Sequence, residues 1–199
     1  VVTDNYQTLS REVKRWKNKL QRSTLLMGSD DTIFENISLS DLFRNFHFAS
    51  ILLQELATAE FSIYIYYARD ADGVNEWGAE KLEKEIMMIP LTHRLSHKYE
   101  IIEKVYSDAP GIDRITKDAS REVLEKYHRK TQPKIVSPYA KNKQDLLQLS
   151  DMIANIAANF LSNGSMYPKE YMAYIRTRVR YGENVATGEK HLRDKNPIA

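Results

Sequence analysis

The chain has 199 residues, of which 42% are hydrophobic and 28% are charged. This length fits one domain with a full core, and this composition excludes a chain that is disordered throughout. The absence of cysteine excludes disulfides, thiolate zinc sites and cysteine nucleophiles. It also fits a reducing compartment, so we expect a cytoplasmic protein. The net charge of +2 is too balanced to indicate a nucleic-acid partner by itself.

Two features argue against a membrane partner. No basic segment followed by an apolar run opens the sequence, so we expect no signal peptide. The most apolar stretch, residues 146–161, carries polar side chains throughout, which predicts a buried helix and not a membrane span.

In the first half of the chain, helices and one clear strand are expected in alternation. Apolar spacings of three and four predict helices over residues 8–21 and 40–59. β-branched and aromatic residues predict a strand over 61–67. Residues 70–73 after it have the composition of a turn. A third helix is expected over 76–88, before a proline.

The middle of the chain is more ambiguous. Residues 99–107 fit either a strand or the continuation of a helix that begins at Thr92. We favour a short helix over 92–97 followed by a strand. A helix over 113–130 and a short strand over 134–137 are expected next.

The last third of the chain is predicted to contain two helices followed by a polar segment. Asp145 is expected to cap an apolar helix over residues 146–162, and Pro168 opens a helix to about residue 181. Residues 183–199 contain no periodic apolar pattern, which predicts a mobile polar tail. We therefore predict a single α/β domain over residues 1–182.

The element order predicts a thin mixed sheet flanked by helices. Strands that alternate with helices require crossover connections and at least partly parallel pairing. Three strands are few for such a sheet, so we expect N-terminal strands to be missing from this chain.

Asp151 is the sole ionisable side chain between residues 146 and 163. Helical spacing places it in line with Leu147, Ala154 and Ala158, beside the main apolar stripe. A carboxylate in such surroundings is costly to desolvate without a partner. Two interpretations stay open: a solvated or ion-paired aspartate, and a metal ligand.

Three more aspartates follow predicted strands. Asp108 comes after the strand over residues 99–107, and Asp70 and Asp72 come after the strand over 61–67. Ligands gather at the carboxyl ends of strands in α/β folds, although aspartate is also common in ordinary turns. Together with Asp151 these oxygen ligands would suit Mg²⁺ or Mn²⁺, and such ions can catalyse phosphodiester hydrolysis.

The string Leu147-Gln-Leu-Ser-Asp151 opens the late apolar helix after a short strand and a lysine-rich loop. It resembles the Leu-Gln-x-Ala-Asp signature of the uncharacterised domain family numbered 3800, which is found in mobile-element and defence contexts. The resemblance implies an RNase H-like fold and places Asp108 and Asp151 at the presumed metal-ligand positions. Ser150 replaces the family's alanine, and the family's N-terminal Asp-Glu-Ser-Gly strand has no counterpart in the sequence.

Basic side chains cluster in two of the predicted helices. The first carries Lys14, Arg15 and Lys17 beside Trp16, and the last carries three arginines: Arg176, Arg178 and Arg180. Such groups could contact phosphates, with aromatic rings stacking on bases, or they could be solvated helix faces.

Three functions are consistent with the sequence. The first is a nuclease-like domain in which Asp108 and Asp151 hold Mg²⁺ or Mn²⁺ for catalysis on RNA or DNA. The second is a non-catalytic domain of the same fold that binds nucleic acid or a protein. The third is an interaction protein whose aromatic surface supports a homo-oligomer.

Overall fold

The computed structural model describes these residues of the chain: 1, 3–25, 46–69, 72–78, 81, 85, 104–106, 118, 121, 125, 134–136, 145–162, 164 and 167–192. The chain divides into two compact units where the sequence indicated one domain. The first unit contains Val1–Ile63 and Ala140–Val179, and the second contains Tyr64–Tyr139 and Arg180–Ala199.

The first unit is helical. It contains α1 (Tyr6–Leu25), α2 (Phe46–Thr58), α3 (Asp145–Leu161) and α4 (Glu170–Arg176). The predicted helices at residues 8–21 and 146–162 are confirmed, as is the described part of the helix expected over 40–59. No helix within the described ranges is both long and apolar enough to cross a membrane.

The core of the first unit is built from one apolar stripe on each helix. Helix α1 packs against α3, and α4 packs against both α2 and α3. The stripe predicted for α1 is confirmed where its side chains are described, because Leu9, Val13 and Trp16 are at most 2% exposed. The helices opposite contribute fully or almost fully buried side chains: Leu53, Leu56, Leu149, Met152, Ile156 and Ile175.

The strands form two sheets among the described residues. In the first sheet, β1 (Ile63–Tyr67) is the neighbour of β4 (Val179–Asn184), and β4 pairs antiparallel with β5 (Lys190–Leu192). In the second sheet, β2 (Lys104–Tyr106) pairs in parallel with β3 (Lys134–Val136). Mixed α/β architecture and parallel pairing are therefore confirmed.

The prediction that the C-terminal helix reaches residue 181 is wrong, because the helix ends with α4. The helix ends at Arg176, and Thr177 follows with its hydroxyl donating to the Tyr174 carbonyl oxygen. Val179 then starts β4, which joins β1 through the Ile63 amide donating to the Arg178 carbonyl oxygen at 2.8 Å. Pairing with a strand far away in sequence outweighs the local helical pattern.

The prediction of a mobile polar tail from residue 183 is also wrong for its first ten residues. Residues 183–192 complete β4, turn, and form β5. Gly188 adopts φ 70°, a left-handed conformation that glycine tolerates in such a turn. Asn184 is 1% exposed, and its Nδ2 donates to the Asp72 carboxylate at 2.6 Å. Polar composition therefore did not prevent an ordered hairpin.

The helix expected over residues 76–88 begins later in the chain than the sequence indicated. Val74–Glu76 is a single 3₁₀ turn, and Trp77 after it has an extended backbone. Lys81 and Glu85 are helical, as are Asp118, Arg121 and Glu125 of the helix expected over 113–130.

Candidate functional site

Five cations lie along the solvent side of α1. We name Arg11, Lys14, Arg15, Lys19 and Arg22 the basic face; all five are exposed. Their spacings of three and four residues bring them to one side of the helix. With Asn18 and Glu55 they line an open recess on the surface of the first unit.

The buried side of α1 determines which of its residues face solvent. Leu9, Val13 and Trp16 occupy the opposite face and pack into the core. Because this apolar stripe fixes the rotation of the helix, the basic face is directed outward. Trp16 is 2% exposed, so its ring is not accessible for base stacking, which was one of the two interpretations that the sequence left open.

Glu55 of α2 is the acid that lines the recess. Its Oε1 accepts a hydrogen bond from Lys19 Nζ at 2.6 Å. Its Oε2 accepts from Trp16 Nε1 at 3.1 Å and from Arg15 Nη2 at 3.3 Å. The bond from Lys19, with smaller contributions from the Lys19 charge, Trp16 and Arg15, holds the pKa of Glu55 below its usual value despite partial burial.

A second acid, Asp145, meets the neighbouring side of α1. It is the first residue of α3 and is 8% exposed. Lys17 Nζ lies 3.7 Å and Lys14 Nζ 3.9 Å from its carboxylate oxygens. Lys17 keeps only 18% of its side chain exposed, so it acts as an ion-pair partner between α1 and α3.

The two ends of the basic face are less engaged. Arg11 donates to the Gln7 carbonyl oxygen and to the Thr8 hydroxyl, both at 3.4 Å within its own helix. No ion pair joins Arg11 or Arg22 to an acid among the residues that the structure describes. These two guanidinium groups are therefore the cations best placed to meet a phosphate.

The three C-terminal arginines have different environments. Arg176 is exposed on α4. Arg178 is half-buried, and its Nε and Nη2 donate to the Ala57 carbonyl oxygen at 3.0 and 2.6 Å. Arg180 lies half-buried on β4. Arg176 is therefore the one of the three that is exposed on a helix, and Arg178 stabilises the fold through its hydrogen bonds to Ala57.

The predicted metal ligands are only partly described. Asp151 is half-buried on α3, where the neighbouring Ala154 and Ala158 are exposed. Asp108 and Asp70 lie outside the described residues. Within the described part of the chain, no three histidine, aspartate or glutamate side chains come together in a way that could hold a metal ion.

The carboxylate of Asp72 accepts two hydrogen bonds from other residues of the second unit. Its Oδ2 accepts from Asn184 Nδ2 at 2.6 Å and from the Arg69 amide at 3.0 Å. The bond from Asn184, followed by the bond and charge of Arg69, holds the pKa of Asp72 below its usual value. The carboxylate therefore links the loop after β1 to the β4–β5 hairpin.

Asn18 and Glu55 were not among the predicted site residues. The helical periodicity of α1 places Asn18 between Arg11 and Arg22, so this residue could have been found from spacing. Glu55 could not, because its partners lie 36 to 40 residues earlier in the sequence.

Comparison with known proteins found no matching family model, no matching curated protein and no matching solved structure. The resemblance to the family numbered 3800 therefore stays a prediction.

Proposed function

We propose that this protein binds the phosphate backbone of a nucleic acid along α1. The observation that carries the proposal is the row of five exposed cations around one recess in a protein whose net charge is only +2. Because the overall charge is nearly balanced, this concentration of positive charge is a local feature. A local patch of this kind attracts and orients anions.

The length of the row favours a polyanion over a single phosphate. From Arg11 to Arg22 the helix rises by about 16 Å. Cations at successive positions along that distance can each neutralise one phosphate of a chain, whereas a mononucleotide would use only part of the row. Affinity is then expected to fall steeply with salt, because each contact releases counterions.

The surroundings of α1 favour nucleic acid over an anionic membrane. A helix that binds in the membrane interface inserts its apolar face among the lipids. The apolar face of α1 is already buried in the core through Leu9, Val13 and Trp16. Of the described α1 side chains, Tyr6 is the only large hydrophobic one that is substantially exposed, at 39%.

The lining of the recess also favours binding without sequence preference. Among the residues that the structure describes, its lining consists of long cations, Asn18 and Glu55, without an aromatic ring. Contacts to phosphates fix the position of a nucleic acid but do not distinguish its bases. We therefore expect similar affinity for different sequences of equal length and charge.

Hydrolysis by an RNase H-like site remains a separate prediction. It depends on Asp108 and Asp151 acting together through Mg²⁺ or Mn²⁺, and Asp108 lies outside the described residues. Binding along α1 does not depend on it. Cleavage is tested separately, by comparing the hydrolysis of labelled oligonucleotides by the wild type and by Asp151→Asn in the presence of Mg²⁺.

The direct experiment is fluorescence anisotropy with labelled single-stranded and duplex oligonucleotides between about 50 and 200 mM salt. The double variant Arg11→Gln/Arg22→Gln removes two charges from the basic face. We expect it to weaken binding about tenfold or more and to reduce the slope of log affinity against log salt by about 1.4–1.8.

The matched control is Lys169→Gln/Arg121→Gln, which removes two exposed charges outside α1. It should bind as the wild type does. Equal losses in the two double variants would show a non-specific charge effect and overturn the proposal. Binding to phosphatidylserine vesicles without binding to any oligonucleotide would also overturn it.

A further inference from the structure

Glu55 occupies the place in the recess where a phosphate would be expected. Its two oxygens accept hydrogen bonds from Lys19 Nζ at 2.6 Å and Arg15 Nη2 at 3.3 Å. Both cations are well exposed, at 59% and 64% of their side chains. The carboxylate thus presents to the basic face the same kind of acceptor that a nucleic-acid backbone would present.

We propose that Glu55 is an internal competitor of the nucleic acid for Arg15 and Lys19, and that it limits the affinity of the basic face. This inference rests on the proposed function. In the unbound protein Glu55 holds the two cations, and a bound backbone must share or displace it. Removal of its negative charge should therefore strengthen binding.

The geometry makes such an exchange feasible. Arg15 and Lys19 are well exposed although Glu55 keeps only 26% of its side chain exposed, so water screens these ion pairs from the side of the cations. The long cationic side chains also lose freedom when they are held, which weakens such pairs further. A run of phosphates that already contacts Arg11 and Arg22 can therefore compete for Arg15 and Lys19. The carboxylate remains nearby as a repulsive charge.

Glu55 also has a structural role, and the two roles can be separated. Trp16 Nε1 is buried with its ring and donates to Glu55 Oε2 at 3.1 Å. Glutamine at position 55 can keep one acceptor oxygen for this donor, while it removes the charge and replaces the other oxygen with an amide nitrogen. A purely structural role would change stability without increasing affinity.

The experiment compares Glu55→Gln with Glu60→Gln in the same anisotropy assay. Both variants remove one negative charge from the first unit, but the Glu60 side chain is exposed outside the recess. We expect Glu55→Gln to tighten binding by about threefold to tenfold near 100 mM salt and to steepen the salt dependence. Glu60→Gln should stay within about twofold of the wild type.

A second comparison does not require Glu55→Gln to tighten overall binding. In the wild type, Lys19→Gln should cost less affinity than Arg22→Gln, because Glu55 already holds Lys19. In the Glu55→Gln background, the two losses should become similar. Unequal loss in the wild type and equal loss in the Glu55→Gln background would support the inference even if the Glu55 variant is less stable.

The outcomes separate this inference from the proposed function. If the wild type binds with steep salt dependence, Glu55→Gln binds no more tightly, and the losses from Lys19→Gln and Arg22→Gln differ equally in both backgrounds, then Glu55 is not a competitor and the proposed function stands. If neither protein binds any labelled oligonucleotide, both fail. If only Glu55→Gln binds measurably, competition by Glu55 is supported, and the proposed function fails for the wild-type protein at that salt concentration.

Discussion

At the residue scale, the buried amide of Asn159 fixes the connection between α3 and α4. Its Nδ2 donates to the Tyr167 carbonyl oxygen at 2.8 Å, and its Oδ1 accepts from the Tyr167 amide at 3.2 Å. The backbone oxygen of the same residue accepts from the Gly164 amide at 2.8 Å. An asparagine late in an apolar helix therefore satisfies the backbone of the following loop.

Gly164 lies against this amide and leaves no room for a side chain. A Cβ at position 164 would lie 2.7 Å from Asn159 Oδ1. We expect Gly164→Ala to displace the amide, weaken its bonds to Tyr167 and lower the free energy of unfolding by about 1–3 kcal/mol. Urea denaturation monitored by tryptophan fluorescence measures this change.

Gly78→Ala is the matched control for that variant. A Cβ at position 78 meets no heavy atom within 4 Å in the described part of the chain. It should change the free energy of unfolding by less than about 1 kcal/mol. Equal stability of the two alanine variants would show that Asn159 does not fill the space beside Gly164.

At the element scale, Glu55 connects α2 to α1 through three donors, and this connection should depend on pH. Lys19, Trp16 and Arg15 hold the pKa of Glu55 below its ordinary value of 4.5. A carboxyl whose pKa is lower in the folded protein stabilises the fold above its unfolded pKa. That stabilisation is lost as the pH falls through the folded pKa.

We therefore expect the wild type to be more stable than Glu55→Gln by about 0.5–1 kcal/mol at pH 7, a small value because the pairs are partly exposed. The difference should disappear as the pH falls below 4.5. Urea denaturation of both proteins across this pH range measures it. A difference that stays constant at low pH would show that the charge of Glu55 does not stabilise the fold.

The local periodicity of the sequence predicted those helices and strands that bury one row of apolar side chains in the core. Leu9, Val13 and Trp16 repeat at the helical period, and their burial in α1 is confirmed. The strand β1 was equally clear, because β-branched and aromatic residues dominate it. Where one face of an element meets the core, the sequence pattern is sufficient to predict the element.

The sequence was insufficient where long-range pairing decides the structure. Arg176, Arg178 and Arg180 alternate with Thr177 and Val179, a period of two that indicates a strand, but Pro168 and the apolar residues after it favoured a longer helix. Pairing with β1, more than one hundred positions earlier, determines the outcome. Contacts of this kind cannot be derived from the periodicity of one segment.

At the scale of the whole molecule, charge distribution is more informative than net charge. The nearly neutral chain concentrates five cations on one side of α1, while Asp145 and Glu55 restrain parts of that set. The sequence predicted the basic helix but could not show which cations are held by acids. Lys17 is the clearest example, since its pairing with Asp145 leaves it only 18% exposed.

The measurement that tests nucleic-acid binding along α1 most directly is an NMR titration of the ¹⁵N-labelled protein with a single-stranded oligonucleotide at low salt. We expect the largest amide shifts at residues 11–22 of α1 and at Glu55, with small shifts in the β4–β5 hairpin. Raising the salt concentration should reverse them. Shifts concentrated away from α1, or no shifts at a saturating oligonucleotide concentration, would contradict binding along this helix.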